Sequence, residues 1–121
     1  MTLMVRPYMR DPVTGEEVSL GGRMAPPCNE LGGFECWRTE VYGSAVAKAL
    51  GLRLLPSLTS TDIYAEGEDL DRLRQEAEML RAHAHQIHDD PSSIYFRLDN
   101  LLEAIGVAMK SGDPSAGVYL G

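Results

Sequence analysis

Leu70, Leu73, Ala77, Leu80, Ala84 and Ile87 follow one another at alternating spacings of three and four. That rhythm places them on one face of an amphipathic helix, predicted from about Asp69 to His88. Glu66, Glu68, Asp69 and Asp71 crowd its N-terminal end, where the helix dipole favours negative charge. Glu68 precedes Arg72 by four residues, the better orientation for a paired acid and base. "DDPSS" comes next. Asp90 is expected to cap a further helix and Pro91 to open it, because a missing N–H costs nothing at that position. Ile94, Leu98, Leu101, Ile105 and Ala108 mark its seam as far as about Lys110, widened by Tyr95, Leu102 and Met109. Lys110 suits its C-terminal end and Gly112 its termination. Two helices joined so briefly predict an αα-hairpin.

Upstream, a shorter helix is predicted from Glu40 to Leu50, with Thr39 as cap and Gly51 after its end. Tyr42, Ala45, Val46 and Ala49 would share its buried face. Residues 2–9, "TLMVRPYM", read as a strand in which Pro7 marks an edge or irregularity. "DPVTG" is turn chemistry, and "EEVSL" at 16–20 can return as the second strand of a hairpin. "AGVYL" at 116–120 reads as a last strand added to that hairpin. Residues 52–65 are ambiguous, with room for a short strand in "SLTSTDIY". Residues 21–38 show no period at all: glycines and prolines interrupt them throughout. Such a stretch is either functional or hides short structure. The expected architecture is α+β: a small antiparallel sheet packed on an αα-hairpin and one further helix, in a single domain spanning 1–121.

Composition narrows the function more than the fold. The chain has 121 residues, 44% of them hydrophobic and 24% charged, enough to bury a core unaided. Its formal net charge is −7, which argues against sequence-independent binding of nucleic acid. A basic protein partner is compatible with that charge. No stretch approaches the roughly 20 apolar residues of a membrane span. The first residues carry no signal-peptide pattern, so a cytoplasmic location is expected. There Cys28 and Cys36 should be thiols.

All three histidines lie in "LRAHAHQIHDDP". Their spacing is similar to the His-x-His-x-Asp-His motif of the metallo-β-lactamase fold. Here, however, Ile87 replaces the acid, no later histidine follows, and the chain is too short for that fold. On a straight helix, at about 100° per residue, His85 and His88 lie about 60° apart and His83 about 160° from His85. One ion cannot gather all three, and Arg81 stands one turn before His85. No metal and no cofactor is assigned. His85 and His88, completed by Asp89, Cys28 or Cys36, are the only metal candidates this geometry leaves. The same rings could instead make an interface pH-sensitive.

Other chemistry is ruled out by spacing. Cys28 and Cys36 do not form C-x-x-C. The paired glycines at 21–22 and 32–33 lack the Lys-Ser/Thr of a phosphate loop. No serine stands in G-x-S-x-G, and the acids at 66–71 lack calcium-loop spacing. What remains is the loop 21–38, which gathers Arg23, Met24, Phe34, Trp37 and Arg38, types enriched at binding hot spots. Arg23, Phe34, Trp37, Arg38 and Tyr42 are the candidate ligand- or partner-binding residues. Phe34 and Trp37 could equally plug the core.

"TEVYGSAVAKALGL" and "YFRLDNLLEAIGVAMKSGDPSAGVYLG" resemble segments of small bacterial proteins with no settled activity. Gly43 departs from that pattern, and the resemblance implies no chemistry. With no catalytic constellation, the first reading is a non-catalytic protein that binds and masks a partner, as immunity proteins or phage inhibitors do. The second is a small-molecule-binding protein or minor enzyme with a pocket between the loop 21–38 and the helices, using Trp37, Arg38, Tyr42 and Cys36. The third is a homodimer or higher structural oligomer, sharing the Leu70–Ile87 seam or the Met-bearing face of the last helix.

Overall fold

The computed structural model describes residues 2–121. Strand β1 (Thr2–Arg10) is the spine of a five-stranded antiparallel sheet. On one edge it pairs with β2 (Glu17–Ser19) and β3 (Leu31–Phe34), and on the other with β5 (Gly117–Leu120). Strand β4 (Ile63–Glu66) lies beyond β5, with Ile63 opposite Leu120. The expected hairpin and C-terminal strand are therefore both present. The Val5 amide donates to Glu30 and the Pro7 carbonyl accepts from Leu20, so β2 and β3 lie end to end along one edge. Alternation places the nitrogen of Pro7 on that edge, at the junction between the two, where its missing N–H interrupts no ladder.

Leu3, Val5, Ile63, Ala65, Val118 and Leu120 point to one face of the sheet and enter the core. Helices α3 (Glu68–Ala82) and α4 (Ser92–Lys110) cover that face as an antiparallel pair. Both predicted seams are buried, Leu70, Leu73, Ala77, Leu80 and Ala84 from one side and Ile94, Leu98, Leu101, Ile105 and Ala108 from the other, except at Ile87, which is half-buried beyond the end of α3. The α+β architecture is as the pattern predicts.

The details differ in four places. The single helix expected over Glu40–Leu50 is two short ones, α1 (Trp37–Glu40) and α2 (Ala45–Ala49). Gly43 separates them. It packs so close to the Arg38 carbonyl and the Thr59 methyl that any side chain there would collide with both. Ser44 then restarts the helix by accepting from the Ala47 amide at 3.2 Å. The buried residues are accordingly Val41, Tyr42 and Ala47, while Ala45 and Ala49 are exposed. Thr39 caps nothing, because its hydroxyl donates to the Cys36 carbonyl.

Helix α3 stops at Ala82, not His88. The ring of His83 donates to the Met79 carbonyl at 2.9 Å, the acceptor that the His83 amide would use in a continuing helix. That amide turns instead to Leu80. A single 3₁₀ turn, Ala84–Gln86, then leads out. Among the described residues the ion pairs along α3 run from Arg74 to Asp71 and Glu78, not from Glu68 to Arg72. Asp90 accepts from the Ser92 amide and hydroxyl, one residue ahead of the cap position, which Pro91 occupies.

The loop 21–38 hides the structure expected of so long a stretch: a 3₁₀ turn at Gly21–Arg23, strand β3, and the start of α1. Two buried polar side chains hold the irregular segments in place. Asn100, fully enclosed on α4, donates to Asn29 and to the Leu31 carbonyl and accepts from the Asn29 amide. Glu76 on α3 accepts the amides of Arg53, Leu54 and Leu55 and so closes the start of the 3₁₀ turn Leu55–Thr59.

Candidate functional site

The paired glycines of β3 create room for side chains, not for phosphate. A Cβ on Gly32 would meet Val5 at 2.9 Å and Leu120 at 3.0 Å, so the strand can lie flat on the core only without one. Gly33 has φ +118°, and a Cβ there would meet the Trp37 ring at 2.5 Å. The indole therefore stacks directly on the β3 backbone. Trp37 is 9% exposed and forms edge contacts with Phe34 at 5.7 Å and Tyr42 at 6.3 Å. The Tyr42 hydroxyl is fully enclosed and donates to the Gly32 carbonyl at 2.5 Å; burial pushes its pKa far up.

The five sequence candidates thus separate. Trp37 and Tyr42 belong to the core. Arg38 is spent within the chain: its guanidinium reaches Glu35, the carbonyls of Leu58 and Thr61, and Asp62 at 2.7 Å. Asp62 also accepts from the Tyr119 hydroxyl. Arg38 holds the Asp62 carboxyl below the usual carboxylate range, against a smaller opposing effect of burial. Trp37 lines an open groove of about 350 Å³ with Ile87, His88 and Asp90, whereas Arg38 lines a separate hollow with Thr59 and Asp62. Trp37, Arg38 and Tyr42 do not share one pocket.

Phe34 and Arg23 remain at the surface, and both lie beside α4. Phe34 is 48% exposed. The Arg97 guanidinium sits between its ring, at 5.7 Å, and that of Phe96, at 5.3 Å. From Arg23 to Phe34 the chain runs antiparallel to α4. The Ala25 amide bonds to Glu103, the Cys28 thiol to the Asp99 carbonyl, and Asn29 and Leu31 to Asn100. Arg23 faces Lys110 across a notch at Gly106. The result is one continuous strip with Leu31, Phe34 and Phe96 exposed at one end and Arg23 with Lys110 at the other.

No family model, curated protein or solved structure matches this chain. Function must therefore be argued from these side chains alone.

The histidines lie outside the strip. His83 is bound to Met79, the His88 ring faces the backbone of Asp90, and His85 is exposed. Because the helix breaks at His83, the straight-helix angles expected for the three rings do not apply. Among the described residues no three His, Cys, Asp or Glu side chains form a group able to hold a metal. Cys28 and Cys36 are free thiols. Burial raises both pKa values, with Glu103 adding to it at Cys28 and Glu40 at Cys36, the reverse of what activates a nucleophile. No described helix is long and apolar enough to cross a membrane.

Two features escaped the sequence reading. Phe96 and Arg97 lie off the α4 seam, and nothing local distinguishes them from a solvated pair. The outer face of the sheet carries Tyr8, Tyr64 and Tyr119. Tyr64 lies 5.0 Å from Tyr119, and Arg6 stacks on Tyr119 at 5.5 Å. Tyr8 crosses Gly117, where a Cβ would meet its hydroxyl at 2.7 Å, and donates to Glu66. Burial, then Glu66, holds the Tyr8 phenol far above its ordinary pKa. Alternation on β1, β4 and β5 was the available signal, since even positions of β1 and the tyrosines of β4 and β5 fall in register.

Proposed function

We propose that this protein is a non-catalytic docking module that binds a partner protein and masks its surface, as immunity proteins and inhibitors do. The contact surface is the strip formed by β3, the segment before it and α4. The observation that carries the reading is the pair Phe34 and Phe96 around Arg97, with Leu31 further along the same strip, each of the three apolar side chains more than a third exposed. Large apolar side chains are normally scattered singly on a monomer's surface; grouped around an arginine and rimmed by polar residues they mark an interface. The net charge of −7 steers a basic partner from a distance, while the contact itself is set by the local side chains.

Affinity capture from the source organism tests this, using the wild-type chain, a Phe34→Ser/Phe96→Ser variant, and Tyr64→Ser as a control on the outer sheet face. The expected result is one stoichiometric protein retained by the wild type and by Tyr64→Ser and lost by the double variant. A copurifying metabolite in its place refutes the reading. Loss on Tyr64→Ser alone refutes the chosen surface.

A further inference from the structure

We infer that Arg97 is the anchor for a carboxylate on an acidic segment of the partner protein, an assignment that rests on the docking reading above. Arg6, Arg10, Arg38, Arg74 and Arg81 all have carboxylate partners within the chain. Arg97 has none among the described residues. Its Nε and Nη1 are buried without any hydrogen-bond acceptor, and they are the only such buried side-chain atoms described. The two rings that flank it, Phe34 and Phe96, offer their faces but no oxygen. Two guanidinium N–H groups stripped of water and left unpaired are costly, while the side chain as a whole stays partly exposed.

Geometry and charge both select the occupant. A carboxylate matches the planar fork of a guanidinium and forms short charge-assisted hydrogen bonds to it. Flanking apolar side chains of the same segment would cover Phe34, Phe96 and Leu31. Further along the strip stand Arg23 and Lys110, with Glu103 the acid between them, and Glu103 already accepts from the Ala25 amide. The acids along the strip are committed within the chain, Glu103 to the Ala25 amide, Asp99 to Arg81 and Glu30 to Arg6, which leaves Arg23, Arg97 and Lys110 without a carboxylate partner among the described residues on a chain whose overall charge is −7. An acidic stretch running along α4 finds complementary charge at both ends; a basic one meets repulsion there.

The test is a side-chain NMR titration with two synthetic peptides, end-capped and identical except at one central position. One carries a glutamate flanked by leucines, the other glutamine in its place. The glutamate peptide is expected to shift the Arg97 Nε–H resonance and the ring signals of Phe34 and Phe96, and to bind at least tenfold more tightly than its twin. Arg97→Gln should abolish that preference. The free Arg97→Met protein should melt a few degrees higher than the wild type, because the unpaired charge is gone while the apolar stem remains. Equal binding of the two peptides, or no shift at Arg97 with either, overturns the carboxylate assignment. A lower melting point for Arg97→Met does so as well, since it would make the guanidinium structural. The docking reading falls separately, on retention of the native partner by the Phe34→Ser/Phe96→Ser chain.

Discussion

Glu76 offers the sharpest test of how this fold is held. The residue is 7% exposed. One oxygen accepts the amides of Arg53 and Leu54 at 3.0 and 3.1 Å, and the other accepts that of Leu55 at 3.0 Å. These are the free donors at the start of the Leu55–Thr59 turn, which no backbone carbonyl reaches. Glu76→Ala strands all three. The Arg53 amide, beside an exposed residue, can turn to water. The Leu55 amide belongs to a fully buried residue, and leaving it unsatisfied costs about 1–3 kcal/mol. With about 1 kcal/mol for the Leu54 amide, the total is about 3 kcal/mol out of a stability on the order of 5–15. At this chain length that lowers the melting temperature by roughly 10–12 °C. Glu76→Gln keeps one acceptor oxygen and turns an NH₂ toward a donor, so it should fall between wild type and Glu76→Ala. Glu78→Ala, two residues on in an exposed pair with Arg74 at 3.7 Å, should cost under about 0.5 kcal/mol. Urea denaturation followed by fluorescence of Trp37, the one tryptophan, measures all three. A cost below about 0.5 kcal/mol for Glu76→Ala, or Glu76→Gln worse than Glu76→Ala, refutes the argument.

Two further outcomes follow from the same polar contacts. Asn100→Leu removes the partners of the Leu31 carbonyl and the Asn29 amide; it should cost about 2 kcal/mol and speed hydrogen exchange in β3, with the α3 core amides protected until global unfolding. Asp62 titrates below its ordinary range, chiefly because Arg38 donates to it. Its contribution to stability is therefore complete above the unfolded carboxyl pKa of about 3.9 and is lost as pH falls through the lower folded value. Asp62→Asn should flatten the acid limb of a melting-temperature profile below about pH 4 and leave its shape near neutrality unchanged; an unaltered acid limb would show that the carboxylate contributes nothing there.

The parts of this molecule that repeat were legible in its sequence. The seams of α3 and α4 repeat every three to four residues, and each repetition reports the same buried face, so the αα-hairpin and its packing could be read directly. The segments between them have no period to read. What fixes them is a set of single polar contacts whose partners are remote in sequence, such as Asn29 with Asn100 and Arg53 with Glu76. A glutamate inside an amphipathic helix has the same local signature whether it meets water or three backbone amides. The loop 21–38 drew attention through its residue types, and the structure divides those types by one backbone fact. Gly33 lets Trp37 fold back onto β3, which carries Trp37 and Tyr42 inward and leaves Phe34 at the rim. Phe34 then meets Arg97, which also packs over Phe96, a pair lying off the helical seam and distant along the chain. Neither half of that cluster is unusual alone. The arginine has no acceptor only because the residue brought to it is a phenylalanine, and that juxtaposition exists in the fold and nowhere in the linear pattern.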